Sequence, residues 1–279
     1  ERTGGVDGRI SFEVPPDIAD DTEATIRDTR RLFDELARPN VFIKIPATAA
    51  GVPAIRTSIA AGINVNVTLI FSIARYREVI EAYLSGLEEL AASGGDLTEV
   101  ASVASFFVSR VDTLIDPELQ ALVDKGGPEA EAARARLGTA AIDNAKLAYQ
   151  VFQESFQGPR WEALAARGAR VQRPLWASTS TKNPAYRDVL YVEELIARDT
   201  VNTMPLETIE AVADHGEVRG QTATEGLDRA RRLWSDLAAL GIDEDDVGMR
   251  LEREGVEKFA DSYNGAVETI RAKAEKLSR

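Results

Sequence analysis

Residues 40–48 read NVFIKIPAT. Val41, Phe42, Ile43 and Ile45 form an apolar run of strand length, and Lys44 stands in the middle of it. An unpaired ammonium group in an apolar interior is costly, so this lysine requires either a partner or a task. Side chains alternate across a strand, which puts Phe42 and Lys44 on one face and Val41, Ile43 and Ile45 on the other.

The same parity recurs on either side. In ISFEV, residues 10–14, Ser11 and Glu13 oppose Ile10, Phe12 and Val14. In INVNVTLIF, residues 63–71, Asn64, Asn66 and Thr68 oppose Val65, Val67, Leu69 and Phe71. In SVASFFV, residues 102–108, Ser105 and Phe107 oppose Ala104, Phe106 and Val108. An open sheet covered by helices on both sides tends to be apolar on both faces. A barrel instead sends alternate residues into a shared interior. RPLWAST, residues 173–179, and TVNTMP, residues 200–205, read as two more strands.

Helical patterns separate these segments. One opens at Asp20, Asp21 and Thr22 and carries Ile26, Thr29, Phe33 and Leu36 on one face; another carries Tyr76, Val79, Ile80, Tyr83, Leu84 and Leu87. Strands alternating with helices predict a parallel sheet with crossover helices. Parity selects a (β/α)₈ barrel over a doubly wound sheet. The expected organisation is one barrel-type domain over residues 1–279, with a helical insertion at about 116–170 and C-terminal helices at about 222–279.

Composition narrows the function. The formal net charge of −13 disfavours nucleic acid and anionic membrane surfaces as partners. An anionic substrate would need a local cluster of Lys and Arg. No apolar run approaches the roughly 18 residues of a membrane span. The chain has no cysteine, which removes disulfides, thiolate nucleophiles and Cys-ligated zinc and fits a cytoplasmic setting. Its one histidine, His215, removes multi-histidine metal sites and is expected to be structural, at a helix end in ADHGEV. Neither a metal nor a cofactor is expected.

Lys44 alone is compatible with an edge strand whose lysine reaches water. Inward Glu13, Lys44, Asn66 and Thr68 on three successive strands converge on one place, and the plain alternative there is a buried salt bridge between Glu13 and Lys44. The functional alternative rests on amine chemistry. A desolvated lysine loses its proton more readily and can attack a ketone or aldehyde to form a Schiff base. The iminium draws electrons from the adjacent C–C bond and lets it break. A carboxylate must move protons, and Glu13 is the candidate, with Thr68 placed to hold a water.

The segments SFEVPPDIADDTEATI, VFIKIPAT, INVNVTLIFS, SVASFFVSRVD and RPLWASTSTKNPAY closely resemble transaldolases of the longer bacterial branch, in order and along nearly the whole chain. The resemblance implies a Schiff-base (β/α)₈ enzyme of the class I aldolase type in the pentose phosphate pathway. Such an enzyme moves a dihydroxyacetone unit from sedoheptulose 7-phosphate to glyceraldehyde 3-phosphate, giving erythrose 4-phosphate and fructose 6-phosphate. By the same resemblance Lys44 is the Schiff-base lysine, Glu13 the acid/base carboxylate and Thr68 the residue that orients its water. Asn66 and Ser105 bind the dihydroxyacetone hydroxyls, Phe107 shapes the pocket, and Arg110 and Ser178 bind phosphate.

Two departures qualify that picture. Shorter transaldolases carry an arginine two residues after the serine that Ser178 matches, where this chain has Ser180. Lys182, or less directly Arg187, would supply the charge instead, against the alternative of a solvated loop lysine. The family also places a catalytic aspartate on its first strand and a Thr-Asn-Pro motif on its second, and no residue here matches either. With roughly six strands against the eight of a barrel, the expectation is a chain lacking the first two strands, carried by another chain or lost, and of doubtful turnover by itself. Other readings are a Schiff-base aldolase that releases a free carbonyl fragment, and a non-catalytic scaffold, which would not need inward polar groups. A homo-oligomer stays open.

Overall fold

A computed structural model describes residues 3–277. Six strands form one sheet, all parallel, in the order of the chain: β1 (Ile10–Glu13), β2 (Val41–Pro46), β3 (Val65–Ile70), β4 (Ser102–Phe107), β5 (Arg173–Ala177) and β6 (Val201–Asn202). Each neighbouring pair is parallel because a helix carries the chain back: α1 (Thr22–Leu36), α2 (Gly51–Ala60) and α3 (Ile73–Ala92) in the first three crossovers. Four helices, α4 (Ser109–Lys125), α5 (Ala130–Arg136), α6 (Ala140–Ser155) and α7 (Gly158–Ala165), lie between β4 and β5. After β5 come α8 (Leu190–Glu194), α9 (Leu206–His215), α10 (Leu227–Arg231), α11 (Leu233–Ala238) and the long α12 (Glu244–Leu277).

Local chemistry sets the helix starts. Asp21 caps α1 by accepting the Ala24 N–H at 2.9 Å, and Ser72 caps α3 through the Arg75 N–H at 3.2 Å. Thr48 joins two elements at once: its hydroxyl accepts the Gly51 N–H at 2.9 Å and donates to the Ala19 carbonyl at 2.5 Å. Gly51 is required there, because a Cβ would sit 1.9 Å from the Pro46 carbonyl oxygen.

The core lies between one face of the sheet and the helices. Phe106 and Trp176 meet edge to face at 6.3 Å, and Tyr76 of α3 closes on Phe106 at 5.9 Å. The indole N–H of Trp176 donates to the Leu195 carbonyl at 2.9 Å, so the largest buried ring leaves no polar atom unmet. β2, β3 and β4 follow the expected parity, with Val41, Ile43, Ile45, Val65, Val67, Ala104 and Phe106 all buried.

β1 departs from expectation. Val14 is buried, but Ile10 and Phe12 are 64% and 47% exposed. β1 pairs only with β2, and α1 packs on β2 and α2, so among the described residues nothing covers the outer face of β1. The last strand is also shorter than TVNTMP suggested: only Val201 and Asn202 pair with β5.

The sheet is curled. Residues from β1 through β5, together with Thr203 just past β6, line a single cavity of about 470 Å³. No helix among the described residues is long and apolar enough to cross a membrane.

Candidate active site

Strand register assembles the chemistry. Glu13 lies directly across from Lys44, and Lys44 directly across from Asn66, so three polar side chains form a row over β1, β2 and β3. The Lys44 ammonium donates to Glu13 Oε2 at 3.2 Å. Both side chains are partly buried, at 20% and 30% exposure. Burial raises the Glu13 pKa above the ordinary carboxylate range, and the nearby Lys44 charge works against that rise.

A second row of hydrogen bonds fixes the neighbouring polar groups. Ser105 donates to Asn66 Oδ1 at 2.7 Å, and Asn66 Nδ2 donates to Ser11 at 2.8 Å. The relay spans β4, β3 and β1 and orients the Asn66 amide toward the cavity, with Lys44 beside it. Thr68 Oγ1 is buried and has no hydrogen-bond partner among the described residues, although Thr68 lines the cavity. Its hydroxyl is therefore available to a molecule held there.

The end of β3 is strained. The register shifts between Val67 and Ile70, and Leu69 adopts a left-handed conformation at φ 60°. Ser178, the first residue after β5, is left-handed too, at φ 57°. Such conformations cost about 1–3 kcal/mol each for a residue with a Cβ and persist only where surrounding structure enforces them.

Of the residues singled out in the sequence, Glu13, Lys44, Asn66, Thr68, Ser105, Phe107 and Ser178 all line the one cavity. Arg110 sits on the first turn of α4 with its guanidinium 5.1 Å over the Phe107 ring. One of its nitrogens, Nη1, is buried without a partner, and burial lowers its pKa, opposed by Glu254. Lys182 is not on the cavity wall. It lies on the exposed loop that follows β5, donates to Ser180 at 2.7 Å, and borders a separate cavity of about 180 Å³ beside α4. Arg187 is engaged by Glu193 at 2.9 Å.

Besides the apolar Leu175 and Ala177 of β5, three contributors were not singled out. Ser11 faces inward by strand parity, the one signal that reveals it, and Thr203 lies beyond the short β6. Phe259 comes from α12, which crosses the mouth of the site and brings its ring 4.7 Å from the Lys44 ammonium. Arg75 to Glu252 at 3.5 Å and Arg250 to Glu118 at 3.2 Å hold the helix on either side. Gly255 permits its close approach, since a Cβ there would lie 2.8 Å from Leu69 Cδ2. Among the described residues no group of three or more His, Cys, Asp or Glu is arranged to hold a metal ion.

The arrangement offers an amine, a carboxylate beside it, hydroxyl and amide groups around it, and a buried guanidinium nearby. A family model described as transaldolase/fructose-6-phosphate aldolase matches residues 2–270 of this chain. The chain is 54% identical over 271 residues to a transaldolase of Parafrankia sp. (strain EAN1pec), covering 97% of this chain and 72% of that protein. It is 56% identical over 269 residues to one from Mycolicibacterium paratuberculosis, covering 96% and 70%. A transaldolase of Frankia alni is 52% identical over 279 residues, covering 100% and 73%.

Proposed function

Because the chain belongs to the transaldolase/fructose-6-phosphate aldolase family and is more than half identical to transaldolases over nearly all its length, we propose that it works by a Schiff base on Lys44. It is a transaldolase, a transferase of carbohydrate metabolism. The unit moved is dihydroxyacetone, taken from sedoheptulose 7-phosphate and given to glyceraldehyde 3-phosphate.

Lys44 Nζ attacks the donor ketone, and loss of water leaves an iminium. The C3–C4 bond then breaks: the C4 hydroxyl gives its proton to water, the electron pair of the C3–C4 bond enters the iminium to give an enamine, and an aldehyde departs. The enamine carbon attacks the acceptor aldehyde, whose oxygen takes a proton from water to become a hydroxyl, and a further water hydrolyses the iminium to free the lysine. Glu13 transfers protons to and from the carbinolamine oxygen through a water held by Thr68. A carboxyl group whose pKa is raised by burial is suited to exchange protons in both directions. Asn66 and Ser105 bind the hydroxyls of the transferred unit, and Phe107 bounds it. Arg110 and Ser178 bind phosphate, and Lys182, held by Ser180 beside the separate cavity, supplies a further point charge from the loop.

The observation that carries this reading is the Lys44 amine, 3.2 Å from a partly buried carboxylate on the wall of a cavity of about 470 Å³. We read the six strands as consecutive members of a (β/α)₈ barrel, because they run in chain order and direct polar side chains inward. The acidic, cysteine-free composition supports a cytoplasmic location.

Borohydride reduction in the presence of fructose 6-phosphate, followed by peptide mass mapping, tests the mechanism. A dihydroxyacetone-derived adduct on the peptide containing Lys44 is expected. An adduct on a different lysine, or none in protein that consumes the sugar, overturns it. The family description also names fructose-6-phosphate aldolase, and the two activities separate cleanly: transfer needs an aldehyde acceptor, whereas an aldolase liberates dihydroxyacetone without one.

A further inference from the structure

The loop after β5, residues 178–189, runs along α4 and is tied to it at both ends. At its start the Ser109 N–H donates to the Ser178 carbonyl at 3.0 Å, and the two serine hydroxyls meet at 2.9 Å. Near its end the Tyr186 hydroxyl donates to Asp116 Oδ2 at 2.7 Å. Just beyond it, the Tyr191 hydroxyl of α8 donates to Asp112 Oδ2 at 2.8 Å. Asp112 and Asp116 are four residues apart on α4 and so share one side of the helix.

Each carboxylate also reaches a third segment. Asp112 Oδ1 accepts the Ala141 N–H at 2.7 Å, and Asp116 Oδ1 accepts the Gly138 N–H at 3.0 Å. Gly138 has φ 66°, and a Cβ there would lie 2.7 Å from the Tyr186 ring, so a side chain at this position would displace the tyrosine.

Stability alone gives a poor account of this arrangement. Asp112 is buried, and no Lys or Arg pairs with it or with Asp116 among the described residues; the cations of the loop are directed to Ser180 and Glu193 instead. Carboxylates buried without a cation cost more than apolar groups of the same volume. What they provide is direction: short bonds from tyrosine to a carboxylate hold two segments at a set distance. The segments so held are α4, which carries Arg110, and the loop, which carries Ser178 and Lys182.

We propose that Tyr186 with Asp116, and Tyr191 with Asp112, are positioning pairs that set the span between Arg110 and the Ser178–Lys182 stretch, and thereby the fit of the acceptor's phosphate. The proposal rests on the reading that those three residues bind phosphate. None of the four side chains lines the cavity that holds Lys44.

The test compares glyceraldehyde 3-phosphate with glyceraldehyde, two acceptors that differ only in the phosphate, at saturating sedoheptulose 7-phosphate, with release of erythrose 4-phosphate as the readout. In Tyr186→Phe the ring stays and one hydrogen bond goes. KM for the phosphorylated acceptor should rise about three- to tenfold, the usual worth of one such bond. The KM for glyceraldehyde, kcat and borohydride labelling of Lys44 should remain within about twofold. Gly138→Ala, which displaces the tyrosine without removing its hydroxyl, should split the two KM values in the same direction and serves if the first variant does not fold. Equal changes for both acceptors, or no change, overturn the proposal while leaving the phosphate site in place. If the unaltered protein itself takes both acceptors with equal KM, the phosphate reading fails and the positioning role falls with it.

Discussion

The two ends of the active site are built by different means. The proposed Schiff-base end is a product of strand register: Glu13, Lys44 and Asn66 are neighbours because parallel strands place them opposite one another. The proposed phosphate end has no such lattice beneath it. Its loop is held by side-chain bonds from Tyr186 and Tyr191 to carboxylates that lie 70 and 79 residues away in the chain. Backbone pairing distributes its energy over many bonds, so one substitution removes a function there without moving the frame. A loop held by a few side-chain bonds behaves oppositely, and one lost hydroxyl alters geometry without touching chemistry.

The sharpest challenge to this contrast is Lys44→Met. It should leave the fold intact, abolish borohydride labelling and lower transfer by about 10⁴-fold or more, as loss of a covalent nucleophile does. Retained labelling would show that the register-built row is not the reacting one.

Glu13→Gln removes proton transfer but keeps the size and the row. Its kcat should fall by roughly 10²–10⁴, with labelling at Lys44 preserved though slower. Burial raises the Glu13 pKa, so the ionised form is lost as pH falls through a value above 4.5, and transfer should decline along that acid limb. A pH–rate profile of Glu13→Gln that keeps the limb would assign it to another group.

Gly51→Ala probes the frame instead of the chemistry. The new Cβ would meet the Pro46 carbonyl at 1.9 Å, at the end of the strand that carries Lys44. A loss of about 1–3 kcal/mol is expected on denaturant unfolding, the usual cost of overpacking. An unchanged midpoint would mean that the junction of β2 and α2 is looser than its contacts indicate.

Phe259→Ala tests what α12 adds from outside the sheet. The iminium is a cation, as is the ammonium that the ring faces at 4.7 Å. Loss of the ring should reduce the trapped fraction at subsaturating donor about two- to fivefold, which corresponds to about 0.5–1 kcal/mol of cation–π attraction. An unaffected fraction would confine Phe259 to packing.

The smallest effect concerns His215, where α9 meets the loop through Asp188 at 2.9 Å. Hydrogen bonds donated by the ring to Asp188 and then to Asp214 raise its pKa above 6.5. The imidazolium therefore contributes stability that is fully present below pH 6.5 and is lost as pH rises through the raised value. NMR titration of the ring should show the raised pKa, and Asp188→Asn should return it toward 6.5.

The same contrast governs what could be read in advance. Period-two alternation placed Lys44, Asn66, Thr68 and Ser105 on one face before any fold was in hand, because a strand turns sequence parity directly into position. Ile10 and Phe12 follow that alternation yet are exposed, since parity says which residues share a face and not what covers it. Phe259 and Tyr186 carry no local signal. Their partners are Lys44 and Asp116, far off in the chain, and helical spacing in α12 marks an apolar side without saying which surface it meets. Lys182 shows the intermediate case: its loop position was legible, but the separate cavity beside α4 depends on where Asp116 and Tyr186 bring that loop.

Gly248 and Gly255 are seven residues apart on α12, and a methyl group on either would run into Ser72 at 3.1 Å or Leu69 at 2.8 Å. The seam along which the helix seats itself thus joins two missing side chains to the buried Val247 and Leu251. Tolerance to substitution along α12 should then be uneven, lower at these two notches than on the solvent side, where Met249 and Ile270 are each 66% exposed. A helix seated in this way can change most of its residues over evolutionary time and still keep its grip on the reaction chamber.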